Sequence, residues 1–276
     1  MLDSFVYENH LGQRFEGLKN GVYLNYSDIR DYEWNYETIN NKISRFYMDI
    51  RSRKIPLVVV GKTDEEATTI KNHLLDLAEA DIVAKLPGKI YVGEFYTHGY
   101  ITGSVKSNYL LTKRLTQLEL TMTSDDPKWY KEHQYAFIAG GEEITDSKTG
   151  TDYPYDYSYD YGLYLRGRRI TCPSVGSHAF RLLVYGPAEN PAITINAHTY
   201  VVNGRVNAGE TLLIDSITKT ITLTTANGNK INWFDKRGRE DYIFEPIPAG
   251  QNIVNWIGTY GFDLTVIEQR SEPRWT

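Results

Sequence analysis

The chain has 276 residues, 41% of them hydrophobic and 24% charged, with a formal net charge of −5; it is too apolar and too weakly charged to be disordered, and long enough for about two domains. Its longest purely aliphatic run, Leu57-Val58-Val59-Val60, is far short of the roughly 20 residues a membrane span needs, so no membrane insertion is expected. A lone cysteine, Cys172, excludes an intramolecular disulfide framework and any all-cysteine metal site, and the start Met1-Leu2-Asp3-Ser4 lacks the pattern of a secretory signal.

A polar, aromatic opening from Phe5 to Asn41 leads into Leu57–Val60, which reads as a buried strand. A helix follows. Thr63 is placed to cap it, Glu66 stands where a capping box needs a carboxylate, and Asp64 and Glu65 favour the positive end of the helix dipole. Ala67, Ile70, Leu74, Leu77 and Ala78 recur at helical spacing and define its buried face, while Lys71 and Asp76 lie on the polar one. Leu86-Pro87-Gly88 ends the pattern. The period then becomes two, with Ile90, Val92 and Tyr96, and later Leu118, Leu120 and Met122, alternating with polar residues. The first half therefore reads as α+β, one helix on an antiparallel sheet.

A polar, glycine-rich stretch from Gly140 to Gly150 marks the junction, giving domains 1–145 and 146–276. The second half reads as all β. Its strands are expected at Phe180–Tyr185, Ile193–Val202, Thr211–Asp215, Thr220–Thr224, Lys230–Phe234 and Phe262–Glu268. Asn203-Gly204 and Asn227-Gly228 suit hairpin tips, because both residue types tolerate positive φ. Short strands at regular spacing indicate a β-sandwich, so the chain as a whole is expected to be mainly β.

Charge and motifs narrow the function. Up to residue 140 there are 17 basic and 19 acidic residues, and after it 13 and 16, so both halves are mildly acidic and specific nucleic-acid binding is not expected. Gly61-Lys62-Thr63 sits between strand and helix like a phosphate-binding loop, but Pro56 occupies the place of the earlier glycine and the intervening residues are strand. The six histidines are scattered without metal-ligand spacing, Cys172 reads as a structural thiol, and neither GxSxG nor GxGxxG occurs. No cofactor, metal or catalytic residue is assigned, and no enzyme is expected.

The unusual feature is 22 tyrosines against three methionines. Six of them fall between Tyr153 and Tyr164, interleaved with Asp152, Asp156 and Asp160. Paired carboxylates in a hydrolase need a separation that this spacing does not specify, and the calcium-loop pattern is absent. Tyrosine supplies large amphipathic area at low entropic cost, which favours subunit or domain contacts over sugar stacking.

Several motifs in order carry a resemblance. Asp125-Asp126-Pro127-Lys128-Trp129-Tyr130, Tyr153-Pro154-Tyr155-Asp156-Tyr157, Tyr185-Gly186-Pro187-Ala188-Glu189-Asn190-Pro191, Gly209 to Asp215, Asn227-Gly228 and Ser271-Glu272-Pro273-Arg274-Trp275 together resemble the distal tail protein of long, non-contractile-tailed bacteriophages. The resemblance implies an N-terminal belt domain and a C-terminal galectin-like β-sandwich. It also implies a ring of six copies at the virion's distal tail, assembled from the host cytoplasm. Such a ring would join the tail tube protein to the tail-fibre protein or tail-associated lysin and to receptor-binding proteins, and would leave a channel through which DNA passes without specific binding. Its motif residues are expected to be mostly structural, with Gly186-Pro187 as a turn after a strand, Asn190-Pro191 as the entry to the next strand, and Trp129 and Trp275 as packed anchors. A galectin-like sandwich also raises carbohydrate binding as an alternative. Sugar-binding galectins use His, Asn, Arg, Trp and Glu on one sheet, and here Trp233, Arg237 and Glu240 supply three types without their companions.

Overall fold

Alternating apolar side chains build nearly all the regular structure, and the chain is mainly β with one α-helix among the described residues. The structure, a computed structural model, describes residues 5–25, 27–107, 114–140, 166–173 and 175–275. Two compact units divide the chain, Met1–Lys131 with Gln269–Thr276 forming one and Glu132–Glu268 the other. The divisions fall inside the strands Trp129–Phe137 and Phe262–Arg270. The expected boundary at residue 145 and the cluster Tyr153–Tyr157 lie outside the described residues.

In the first unit the strand Arg51–Val60 turns Arg53, Ile55, Leu57 and Val59 inward at period two. It pairs antiparallel with Leu115–Ser124 along its whole length, from Arg51 opposite Ser124 to Val60 opposite Leu115. Leu118, Leu120 and Met122 face the same core. Val22–Leu24 lines the other edge of Arg51–Val60. Phe95–Ser107 pairs with Leu115–Ser124 through its second half, shifts register between Ile101 and Gly103, and pairs with Gly88–Val92 through its first half. Val6–Glu8 and Arg14–Glu16 extend that side.

The helix α1, Asp64–Ala84, packs Leu74, Leu77 and Ala78 into this core, with Ile70 partly buried. Its cap forms as the sequence indicates: Thr63 Oγ1 accepts from the Glu66 N–H at 3.1 Å. The Glu66 carboxylate reaches one residue further than a standard capping box and accepts from the Lys62 N–H at 2.5 Å. Gly61 has a packing reason, since a Cβ there would stand 2.6 Å from Ala67 Cβ. Gly61-Lys62-Thr63 is thus a tight strand exit and helix cap.

Two further strands, Asn35–Ile39 and Lys42–Tyr47, pair with each other and, among the described residues, with no other strand. Neither was legible in the aromatic opening.

The second unit is a β-sandwich. One sheet runs Lys230–Asn232, Thr220–Thr224, Thr211–Asp215, Ala179–Tyr185, then Phe262–Arg270. The other runs Arg166–Cys172, Gly250–Trp256, Ala192–Ile195, His198–Val201. Their inner faces form one core, with Phe180, Leu182, Leu212 and Leu264 from the first and Ile170, Ile193, Val254 and Trp256 from the second. Full burial of each such side chain contributes on the order of 1.5–3 kcal/mol. Two sequence readings are corrected. Ile193–Val202 is a hairpin rather than one strand, because Asn196 adopts φ 56° and reverses the chain. Asn203-Gly204 is no hairpin tip; the chain passes through it to Arg205–Val206, which pairs with Ala188–Glu189.

Candidate functional site

Most of the motif residues resolve into turns and anchors. Trp129 is fully buried at the start of its strand, with the Arg53 guanidinium 5.9 Å from its ring centroid. Arg53 is itself 1% exposed, and its Nη2 donates to the Pro127 carbonyl at 2.8 Å. Burial pulls this guanidinium down to about 10, because a charged group there has given up water. Among the described residues its Nε and Nη1, and the Trp129 indole N–H, have no hydrogen-bond partner. Beside them the Tyr130 hydroxyl donates to the Asp126 carboxylate and accepts from Gln269 at 3.2 Å; burial first, then Asp126, pushes that phenol up. Pro127 and Trp129 thus pack with Arg53, while Asp126 and Tyr130 form a separate pair.

In the second unit, Gly186 leaves no room for a side chain, since a Cβ would collide with the Asn207 carbonyl. Gly186-Pro187 is a cis peptide. Asn190 adopts φ 45°, and its side chain accepts from the Gly204 N–H at 2.9 Å while the Pro191 carbonyl accepts from Val202 at 3.0 Å. Asp215 Oδ1 accepts from Ile217 and Thr218, closing the turn into the next strand, and Arg181 donates to Oδ2 at 3.3 Å. Asn227-Gly228 is a hairpin tip, with Gly228 at φ 81°.

Trp275 departs from its expected role. It is 76% exposed, held by the Arg30 guanidinium 4.2 Å from its ring centroid and by its indole N–H donating to Glu272 at 2.8 Å. Arg30 also donates to the Pro273 carbonyl at 3.2 Å. A terminal aromatic with only a cation above it is fastened to the surface, not packed into a core.

The galectin-type residues form no open sugar platform. Trp233 is 7% exposed, and Lys236 Nζ lies 4.1 Å from its ring centroid. Arg237 stacks on Phe234 and donates to the Phe234 carbonyl. Among the described residues no three His, Cys, Asp or Glu side chains gather to hold a metal ion. No described helix is long and apolar enough to cross a membrane.

One polar cluster was not foreseen. Asp81 on α1 is fully buried, and its carboxylate takes the Tyr7 hydroxyl, the His10 N–H at 2.8 Å and His10 Nδ1 at 2.6 Å. Burial, and then Asp81, pushes the Tyr7 phenol far above its ordinary range. A Cβ on Gly88 would collide with both the Asp81 and Tyr7 oxygens. Carboxylate, imidazole and phenol are acid–base hardware, but both Asp81 oxygens are engaged and Tyr7 is sealed from solvent, so the cluster binds strand to helix. Only helical position, apolar neighbours at Leu77 and Ala78, and the glycine at 88 hinted at it. Beside it His10, Asp76, Glu79, Ala80, Val83 and Ala84 line an open groove of about 500 Å³.

No protein-family model and no curated protein matches the chain. Solved structures do. The Dit protein of phage SPP1, described as a paradigm of the hub adsorption apparatus in phages that infect Gram-positive bacteria, aligns over 98% of this chain and 99% of its own, with a TM-score of 0.56 and 11% identity. A chain of the phage P2 baseplate in its activated conformation with calcium aligns over 99% of this chain and 100% of its own, with a TM-score of 0.62 and 12% identity. Its strontium counterpart gives the same coverage and TM-score at 14% identity. The fold is therefore the one found in phage hub and baseplate proteins. The likeness extends through both units at 11–14% identity.

Proposed function

We propose that this chain is a non-enzymatic structural hub at the distal end of a phage tail. Copies of it, six by the family resemblance, form a ring that joins the tail tube protein to the tail-fibre protein or tail-associated lysin and to receptor-binding proteins. The observation that carries this reading is the end-to-end likeness to hub and baseplate chains, with both units matched in order. The exposed apolar side chains of the first unit support it, because a ring uses heterologous contacts and needs two different complementary patches on each copy. A net charge of −5 is compatible with a channel that lets DNA pass without retaining its phosphates.

The test is the state of assembly. Mass measurement in solution, with negative-stain images of the protein alone and mixed with its tail partners, is expected to give closed sixfold rings. A chain that stays monomeric under all these conditions defeats the proposal, and a strongly basic lumen in an assembled ring defeats the part concerning DNA.

A further inference from the structure

At one corner of the first unit's core, strand register gathers polar groups that no neighbouring side chain answers. Arg53 points inward opposite Met122, and Arg51, two residues earlier on the same face, stands opposite Ser124. The pairing of Tyr100 with Thr123 sets Ser124 beside Gly99, which adds no side chain to this corner. The pairing of Tyr130 with Tyr96 sets Trp129 beside Thr97, and Thr97 in turn pairs with the core residue Ile90. Cross-strand neighbours stand about 5 Å apart, so Arg53, Ser124 and Thr97 meet at one end of the sheet. Arg53 is 1% exposed, and Ser124 and Thr97 are 0% exposed.

The chemistry of the corner is one-sided. Arg53 Nε and Nη1, Ser124 Oγ and Thr97 Oγ1 have no hydrogen-bond partner among the described residues. Only Nη2 is engaged, donating to the Pro127 carbonyl at 2.8 Å and the Asp31 carbonyl at 3.5 Å. Those acceptors are carbonyls, not carboxylates, and the cation Arg51 acts on Arg53 more strongly than either Asp28 or Asp31. A guanidinium buried without a counter-charge is costly, and buried hydroxyls without partners add to the cost. One kind of group answers all of them. An anion accepts from the guanidinium and from both hydroxyls, which rotate to donate, and it supplies the missing charge. A water molecule would accept as well, but it brings no charge to set against Arg53. Walls this deeply buried suit a single atom better than a phosphate or a carboxylate-bearing ligand.

We propose that the first unit binds a buried chloride ion, held by Arg53 Nε and Nη1 and by the hydroxyls of Ser124 and Thr97. The ion balances the Arg53 charge and ties together the strands Arg51–Val60, Phe95–Ser107 and Leu115–Ser124. This site lies in the interior of one chain and stands independently of the hub reading.

The test uses the full chain, purified in sodium gluconate and titrated with sodium chloride at constant ionic strength. The midpoint of chemical denaturation is expected to rise with chloride and then level off, and bromide should replace chloride. Ser124→Ala and Thr97→Val each remove one hydrogen bond to the ion. Each is expected to raise the chloride concentration for half the rise by about tenfold. Crystals of the wild-type chain grown in sodium bromide locate the ion without relying on any variant to fold, and an anomalous peak is expected against the Arg53 guanidinium. A midpoint indifferent to chloride overturns the proposal. So does a chloride response that both variants keep unchanged, because that is a general salt effect. Density beside Arg53 without an anomalous signal identifies water and overturns it too.

Discussion

The two units treat large apolar side chains differently. In the sandwich, Phe137 and Phe262 stack with ring centroids 4.4 Å apart, Trp256 meets both edge-on, and Phe180 packs against Tyr200, all inside one core. Exposed apolar residues such as Val175 and Ile217 lie far apart along its chain, and Tyr242 and Phe234 both pack on the buried Phe244. In the first unit Tyr32, Trp34, Tyr36, Ile39, Ile43 and Phe46 are all exposed within a single stretch of chain. Scattered apolar residues are ordinary on a protein surface, whereas a contiguous set marks an interaction site. The sandwich satisfies itself. The first unit leaves a run of large apolar side chains in solvent, and this contrast can be broken by experiment.

The largest effect is expected where the first unit depends on its own interior. Trp129→Ala removes a fully buried indole and leaves the Arg53 guanidinium beside a cavity, a loss of about 3–5 kcal/mol in chemical denaturation. Trp129→Phe keeps most of the packing and deletes an N–H that has no partner, so it is expected to cost much less. If the alanine variant were as stable as wild type, Trp129 would not anchor the unit.

The next effect is pH-dependent and belongs to the sandwich. Burial pushes Tyr260 up to about 12, and its hydroxyl donates to the Ala192 carbonyl at 2.8 Å while accepting from the Ala192 N–H at 2.9 Å. A raised value in the folded state favours the protonated form. The contribution is therefore present in full below pH 10 and is lost as pH rises through about 12, an effect on the order of 2–3 kcal/mol. Denaturant midpoints measured across that window should fall for wild type and fall less for Tyr260→Phe. Some slope remains in the variant because burial also raises Tyr200. An unchanged slope would show that the Tyr260 hydroxyl is not held in its neutral form.

How much of this was legible in the sequence follows from burial. Thr211–Asp215 and Thr220–Thr224 were readable because one face of each is packed and the other wet, so the alternation of residue types reports the alternation of environments. The α1 cap was readable because capping is local chemistry; Thr63→Ala should cost about 1 kcal/mol in the same denaturation experiment. Asn35–Tyr47 was not readable, since a hairpin wet on both faces imposes no inside–outside pattern. Gly250–Trp256 was missed as well. Asp81 and Arg53 were missed for the converse reason: charged residues read as surface unless their partners, distant in the chain, are known. Trp275 misled because an aromatic in a recurring motif looks like an anchor, and only the fold shows the ring out in solvent beneath Arg30. Of the motifs that carried the family resemblance, those among the described residues include the turns at Gly186-Pro187 and Asn227-Gly228 and the packing of Trp129 on Arg53.

The smallest expected effect on stability is the most informative about the contrast between units. Tyr36→Ser with Phe46→Ser removes two exposed rings that face each other across the hairpin and pack on no core. Substitutions at such surface positions usually change stability by within about 0.5 kcal/mol, and the denaturation midpoint should barely move. Assembly should fail all the same, because those rings belong to the run of large apolar side chains that the first unit leaves exposed. The matched control lies in the sandwich, where Ile217→Ser and Val175→Ser remove exposed apolar side chains. That variant should keep both its stability and its rings. Equal loss of assembly in the two variants would mean that exposed apolar area is spent on assembly throughout the chain. Loss confined to the hairpin variant would place ring-forming contacts in the first unit and free the sandwich's outer surface for other tail components.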